Sequence, residues 1–361
     1  MGGLIQRLEK SISCVNILYM INLNNVKSLH FIPAVRLDFF DHFKINQLQA
    51  DVIVFDLEDS VDENSKILAQ ENLAKIFLDN KDYLEKYKTC IRPNSKYTKY
   101  FKDDSKIINK INPDIVLLPK VDNVEDLKFY KKTFKAKNII CAIETLAGVS
   151  NVNEICQKLD PKTDAIVVGY EDLSSELKIE RPPHLESQNP LTQIIFSVFV
   201  VARRFNIPIF DAVCRFFKSE DISILEKECE FTSSLRFSAK FSIHPNQISI
   251  INDYFSKEKI NNYAETIIDE FSNKSAGTGV RVVNNQMIDL PSLRLYKNIK
   301  NQNIYLNNSE GKNLSDSYNW FKDDKVVKEF ENVLTEVVNY LPDNISILGI
   351  GSGQGIIERT F

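Results

Sequence analysis

Residues 51–61 read DVIVFDLEDSV. An apolar run suited to a buried strand passes directly into Asp56, Glu58 and Asp59. Carboxylates this close repel one another, and burying them unpaired is costly, so the arrangement needs a cation, basic side chains or open water. Taken alone, such a triplet reads as a solvated strand-to-helix turn. The decision rests on whether other strands end in the same chemistry.

They do. SLHFIP (28–33), TCIRPN (89–94), DIVLLPKV (114–121), NIICAIET (138–145), AIVVGYEDL (165–173), IPIFDAV (207–213) and KFSIHP (240–245) are almost continuous in apolar residues, as parallel strands covered on both faces should be. Helix-length segments separate them, among them ENSKILAQENLAKIFLD (63–79), NVEDLKFYKKTF (123–134) and SEDISILEKECEFTSSL (219–235). Repeated strand–helix alternation implies an α/β fold, either a (β/α)8 TIM barrel or a doubly wound open sheet. After the apolar runs come Asp56, Glu58 and Asp59, then Arg92 and Asn94, Lys120, Glu144, Glu171 and Asp172, Asp211 and His244. Only a barrel brings all of these strand ends to one mouth, so the barrel is the expected fold.

The chain has 361 residues, more than the roughly 250 of a typical barrel, so one large domain with appendages is expected. The anticipated division is an N-terminal extension over 1–26, the barrel over 27–270, a C-terminal lid over 271–304 and an appendage over 305–361. A hydrophobic content of 43% supports a sizeable core. The formal charge of −4, with lysines scattered among acids, argues against nucleic acid as a partner. Cys14, Cys90, Cys141, Cys156, Cys214 and Cys229 form no CxxC pair and read as reduced thiols of a cytoplasmic protein. The stretch ISCVNILYMINL (12–23) is too short to span a bilayer, so no membrane association is expected. It reads as a helix or extension packed on the body, with a transit peptide as the weaker alternative.

In a barrel Glu144 and Asp172 follow adjacent strands, so both carboxylates can reach one hard cation. Oxygen ligands without nearby His or Cys favour magnesium, with manganese the alternative, over zinc. Magnesium keeps most of its ligands as water or substrate oxygens, which gives Glu58 and Asp59 a role in holding that water. The plainer reading of Glu144 is a first-turn carboxylate on the next helix. Arg92 suits a substrate carboxylate or polarised carbonyl, and Lys120 adds a second positive group. Salt bridges to the acidic cluster are the plainer reading of both, and the two roles can coexist. His244, ahead of Pro245, is open between a structural and a functional role.

The ordered set SLHFIPAVR, DVIVFDLEDSV, IRPN, LPKV, IETLAG, GYEDL and FSIHPNQI resembles the citrate lyase β-subunit-like and HpcH/HpaI aldolase superfamily, which includes malyl-CoA, citramalyl-CoA and citryl-CoA lyases. The resemblance spans roughly residues 27–300. It implies a (β/α)8 barrel that makes or breaks a carbon–carbon bond beside a carbonyl with magnesium. Carried over, Glu144 and Asp172 are the metal ligands, Arg92 orients substrate and Glu58 and Asp59 hold water. Arg36 in SLHFIPAVR joins Arg92 and Lys120 in the expected substrate-binding set. QMIDLP resembles the family's C-terminal lid, whose aspartate, here Asp289, reaches a neighbouring subunit's site, implying a homo-oligomer, a trimer or a multiple of it. Ala34, Gln70, Pro93, Ala239 and the stretch ERPPHLESQNP (180–190) depart from the pattern, which bears on the substrate pocket more than on the metal centre.

The chemistry follows from the residues as well. Retro-aldol or retro-Claisen cleavage develops enolate charge that a divalent ion and a guanidinium stabilise, while a lid carboxylate takes the hydroxyl proton. A Schiff base at Lys120 is disfavoured, because acidic neighbours raise its pKa. The expectation is a carbon–carbon lyase acting on a β-hydroxyacyl-CoA or related hydroxy acid. An acyl-CoA thioesterase on the same site and a catalytically reduced barrel used as a scaffold are the alternatives. Beyond residue 305, an amphipathic stretch leads to ISILGIGSGQG (345–355), which looks like the first nucleotide-binding loop of a methyltransferase. It reads as a truncated or split methyltransferase domain, with a strand added to a partner protein or a glycine turn in a docking tail as the alternatives, and it is assigned no cofactor.

Overall fold

A computed structural model describes residues 21–183, 189–272, 280–283 and 286–307. The glycine-rich appendage, most of the N-terminal extension with Cys14, residues 273–279 and 284–285 of the lid segment and the centre of ERPPHLESQNP lie outside the described residues. Met1–Tyr296 forms one compact unit and Lys297–Phe361 a second.

The first unit contains a closed barrel of eight parallel strands in sequential order: β1 (Ser28–Pro33), β2 (Val52–Asp56), β3 (Lys88–Arg92), β4 (Ile115–Leu118), β5 (Asn138–Ile143), β6 (Asp164–Val168), β7 (Ile209–Asp211) and β8 (Ala239–Ser242). Pairing of Leu29 with both Val52 and Phe241 closes the ring. Helical segments occupy every crossover, as parallel connections require, from Leu37–Ile45 after β1 to Ile222–Ser234 after β7.

The near-continuous apolar strands have a direct cause in this geometry. Successive side chains point to opposite faces, and both faces are covered. Val52 and Val54 pack in the barrel interior with Leu29, Leu117, Val167 and Phe241. Ile53 and Phe55, from the same strand, join the layer between strands and helices. Leu23 and Val26 of the N-terminal extension belong to the interior cluster. Asn138 at the start of β5 bonds the backbone of Ile21, its Nδ2 donating to the carbonyl at 2.6 Å, so this segment plugs the amino end of the barrel. The opposite end is thereby left as the accessible mouth.

After β8, helices Pro245–Tyr254 and Lys257–Ser272 lead to an antiparallel hairpin, β9 (Val280–Val283) and β10 (Gln286–Asp289), and then to helix Leu290–Asn307. Val283 and Ile288 face a small separate core with Ile267, while Val282 and Met287 on the other face are exposed. Among the described residues no helix is long and apolar enough to cross a membrane.

Candidate active site

The carboxyl ends of the strands surround a cavity of about 650 Å³. Its lower wall is apolar, with Phe31 and Phe241 stacked at 5.1 Å beside Leu117, Ala142 and Val167. Arg92, Asp59, Glu144 and Asp172 meet at this cavity, as the strand-end reading expects.

Arg92, the last residue of β3, sits beside Asp56, the last of β2, through direct pairing of the two positions. Its Nε donates to Asp56 Oδ1 at 2.7 Å and its terminal nitrogen to Oδ2 at 2.8 Å. Burial alone would raise the Asp56 pKa, but Arg92, the Ser60 hydroxyl and the Glu58 amide hold it at about 2. The other terminal nitrogen faces Glu58 Oε2 at 3.4 Å and Asp59 Oδ2 at 3.5 Å. Arg92 is therefore anchored on one edge and offers its other edge to the cavity. The sequence left a salt bridge from Arg92 to the Asp56, Glu58 and Asp59 cluster open; the structure makes Asp56, 36 residues away, its main partner.

Glu144 and Asp172 reach the mouth through two glycine-dependent turns. Thr145 caps helix Leu146–Ser150 by accepting from the Gly148 amide, and a side chain at Gly148 would come within 2.8 Å of the Val121 carbonyl. A Cβ on Gly169 would lie 2.4 Å from the Glu144 Cβ and 2.8 Å from its Oε2. These contacts explain the glycines of IETLAG and GYEDL. Asp172 lies in the first turn of helix Tyr170–Leu177, where the helix dipole favours a carboxylate.

Lys120 joins the two acids. Its amide donates to Glu144 Oε1 at 2.8 Å and its ammonium pairs with Asp172 Oδ1 at 3.6 Å. The backbone is left-handed there, φ 48°, a strained conformation for a side-chain-bearing residue. Burial would lower the Lys120 pKa, but Asp172 and the neighbouring acids hold it above the ordinary value, against a Schiff-base role.

The site has excess negative charge. Asp56, Glu58, Asp59, Glu144 and Asp172 face Arg92 and Lys120. Burial pushes Glu58 up to about 9 despite Arg92, with Glu144 and Asp59 adding repulsion. Burial also pushes Glu144 up to about 7, with Asp172 adding to the shift. Glu58 Oε2 is buried and has no hydrogen-bond partner. A buried carboxylate oxygen with an ion pair to Arg92 but no hydrogen bond, beside mutually repelling acids, fits a bound divalent cation and its water. Among the described residues no three His, Cys, Asp or Glu side chains form a closed metal cluster. Glu144 and Asp172 would thus share an ion with water or substrate oxygens, the habit of magnesium.

The remaining predicted residues lie elsewhere. Arg36 is exposed, with its guanidinium on Asp38 and 3.9 Å from the centre of the Phe39 ring, which itself lines the cavity. Asp289 is not among the residues lining the cavity of its own chain; its Oδ1 accepts from the Ser292 amide at 2.8 Å and hydroxyl at 2.6 Å. His244 caps helix Pro245–Tyr254 in a reciprocal box with Gln247 and stacks on Phe217. Gln70 is bonded to Asp104, whose other oxygen holds both the amide and side chain of Asn94, so this departure is accommodated in a complete network.

Sequence reasoning missed a buried ionic chain beside the mouth. Lys240 Nζ contacts Asp211 at 2.6 Å and Glu228 at 3.0 Å, and Glu228 also meets Arg181 at 3.2 Å. Glu228 reads as one acid of a charged helix, and Lys240 as one cation in an apolar strand. Only the pairing of an internal cation with an acid on the covering helix reveals them.

The molecule is thus a (β/α)8-barrel enzyme with an acidic, arginine-anchored site at its carboxyl mouth. Residues 27–245 match the HpcH/HpaI aldolase/citrate lyase family. The chain is 32% identical to a (3S)-malyl-CoA thioesterase of Cereibacter sphaeroides over 68% of its own length and 84% of the relative's. It is 30% identical to the mitochondrial citramalyl-CoA lyase of Rattus norvegicus, covering 71% of this chain and 80% of that one. The fold also matches the CitE protein of Mycobacterium tuberculosis, crystallised with magnesium, acetoacetate and coenzyme A, with a TM-score of 0.62 and 21% identity over 78% of this chain and 98% of that one. The chain belongs to the HpcH/HpaI aldolase/citrate lyase family, whose members include carbon–carbon lyases.

Proposed function

We propose that the protein is a magnesium-dependent carbon–carbon lyase acting on a β-hydroxyacyl-CoA of the malyl, citramalyl or citryl type. The observation that carries this reading is the meeting of Glu144, Asp172 and an Arg92 anchored on Asp56 at one cavity. Glu144 and Asp172 would hold the ion, and Glu58 and Asp59 its water. When bound there, magnesium supplies Lewis-acid polarisation of a substrate oxygen.

Arg92 donates to the thioester carbonyl oxygen as negative charge gathers on it, and its fixed grip on Asp56 means that little reorganisation is needed. Lys120 balances a substrate carboxylate near Asp172. Arg36, at the rim beside Phe39, meets the outer part of the substrate. Removal of the β-hydroxyl proton lets the Cα–Cβ bond break, with its electron pair passing toward the thioester carbonyl and a new carbonyl forming at the former hydroxyl carbon. Asp289 of a second copy takes that proton, so the active form is a homo-oligomer, a trimer or a multiple of it. The exposed Val282 and Met287 of the hairpin suit such an interface. The cytoplasm is the expected compartment.

The similarity to a malyl-CoA thioesterase favours a second reading, hydrolysis of the thioester on the same site. Incubation with magnesium and malyl-, citramalyl- and citryl-CoA separates the two. A lyase forms a carbonyl product while the thioester persists as the shorter acyl-CoA. A thioesterase releases free thiol without cleaving carbon, and a scaffold binds magnesium without turnover. Absence of carbon–carbon cleavage across the panel would overturn the lyase reading.

A further inference from the structure

We propose that Arg181 is a positioning residue that fixes the Gly169–Asp172 turn, and through it the carboxylate of Asp172; this rests on the metal-site reading above. Arg181 is 3% exposed and is among the residues lining the cavity. One terminal nitrogen donates to Glu171 Oε1 at 2.8 Å. The other donates to the Val213 carbonyl at 2.7 Å and Glu228 Oε1 at 3.2 Å. The guanidinium carbon lies 5.0 Å from the centre of the Tyr170 ring, and the Tyr170 hydroxyl is bonded to Asp211.

Residues 170 and 171 are thus both held by Arg181, one by its face and one by its edge. Position 169 is held independently, its amide bonded to the Ile143 carbonyl at 3.0 Å and its α-carbon packed against Glu144. Asp172 follows directly, with one ion pair to the half-buried Lys120. The fork geometry lets Arg181 join a turn after β6, the exit of β7 and helix Ile222–Ser234 through two separate terminal nitrogens, whereas a lysine would have to reach all three acceptors from one nitrogen. Arg215 reinforces the arrangement by donating to the Arg181 carbonyl at 2.8 Å and pairing with Glu171 at 3.6 Å. Glu228, in turn, is kept in place by Lys240. The buried ionic chain therefore ends on the turn that carries Asp172.

Charge-conserving substitutions test this without altering the electrostatic balance at the mouth. Arg181→Lys removes the fork, and Glu171→Asp shortens the reach by one methylene. Magnesium titration calorimetry on the folded full chain is expected to show about tenfold weaker binding for each, at the low end of the range for outer residues that orient ligands. The double variant is expected to bind no more weakly than the worse single variant, because one link is broken in all three. The thermal midpoint of Glu171→Asp is expected to stay near that of the unsubstituted protein, since Glu171 is half exposed; if Arg181→Lys does not fold, Glu171→Asp alone decides. Unchanged magnesium affinity in Glu171→Asp, or losses that multiply in the double variant, would overturn the proposal. Asp172→Ala is the control: loss of magnesium there with unchanged Glu171→Asp refutes the role of Arg181 alone, whereas retained magnesium refutes the metal site and the positioning role together.

Discussion

Asp56 holds Arg92 along one edge of its guanidinium, with contacts of 2.7 and 2.8 Å between the ends of two paired strands. Asp56 is fully buried, so Asp56→Asn leaves the guanidinium short of a charged partner. The expected stability loss is about 3 kcal/mol, the lower part of the range for breaking a buried pair. Turnover is expected to fall with it, because Arg92 then keeps only its longer contacts to Glu58 and Asp59 and its orientation is no longer fixed. Denaturant unfolding and steady-state kinetics check the two effects, and a fully active Asp56→Asn would show that the anchored edge is dispensable.

Asp172→Ala is expected to abolish magnesium binding and activity while leaving the fold intact, because the residue lies at the mouth and outside the core. Glu58→Gln, by contrast, is expected to weaken magnesium about 10–100-fold, as changes behind a ligand set do. Calorimetry ranks the two. A greater loss for Glu58→Gln would reverse their assignment.

Gly169→Ala places a methyl 2.4 Å from the Glu144 Cβ, and the backbone on both sides leaves little room for retreat. Overpacking of this kind costs about 1–3 kcal/mol. Here Glu144 is the group displaced, so a lowered thermal midpoint and at least tenfold weaker magnesium binding are expected together. Loss of stability with intact magnesium affinity would mean that Glu144 does not hold the ion.

Two of the raised carboxyls, Glu58 and Glu144, set opposite pH dependences. Glu58, shifted from its ordinary 4.5 to about 9, binds a proton in the folded but not the unfolded chain across that interval. Its contribution to the stability of the metal-free protein is therefore complete below about pH 4.5 and is lost as pH rises toward 9. Glu58→Gln is expected to flatten that decline. Magnesium affinity runs the other way: Glu144 must be ionised to hold the ion, so affinity is expected to fall by up to about tenfold per pH unit below about pH 7. Melting curves without metal and calorimetry with magnesium from pH 5 to 9 check both slopes.

Asp289 tests the shared site. Asp289→Ala is expected to reduce turnover by orders of magnitude while magnesium and substrate still bind, because proton transfer is lost and the contacts from Arg92 remain. Mixed oligomers of Asp289→Ala and Glu144→Ala are expected to regain part of the activity. No rescue in verified mixed oligomers, together with a lowered melting temperature for Asp289→Ala, would leave Asp289 as the helix cap seen in its bonds to Ser292.

The barrel was legible because its cause is local and repeated. Each strand is covered on both faces, so each reads as an apolar run, and each carboxyl end opens on water and carries a polar group. Arg92, Asp59, Glu144 and Asp172 could be placed at one mouth on that ground alone. The glycines of IETLAG and GYEDL were legible as motifs, but their physical reason, the nearness of Val121 and Glu144, depends on strands that meet only in the folded ring.

That Arg92 and Lys120 pair with the acidic cluster was open in the sequence, and they do; the choice of individual partners was not legible, because charge complementarity is satisfied in space and not along the chain. Asp56 chooses Arg92 across two strands; Glu228 turns inward on a charged helix to meet Lys240 and Arg181; His244 and Gln247 satisfy each other's backbone instead of facing substrate. The sequence by itself determined the covered strands, their order and the residue types delivered to the mouth. Tertiary structure alone decided which of those charges neutralise one another and which are left over, because burial makes an unpaired charge costly and selects the partner by distance.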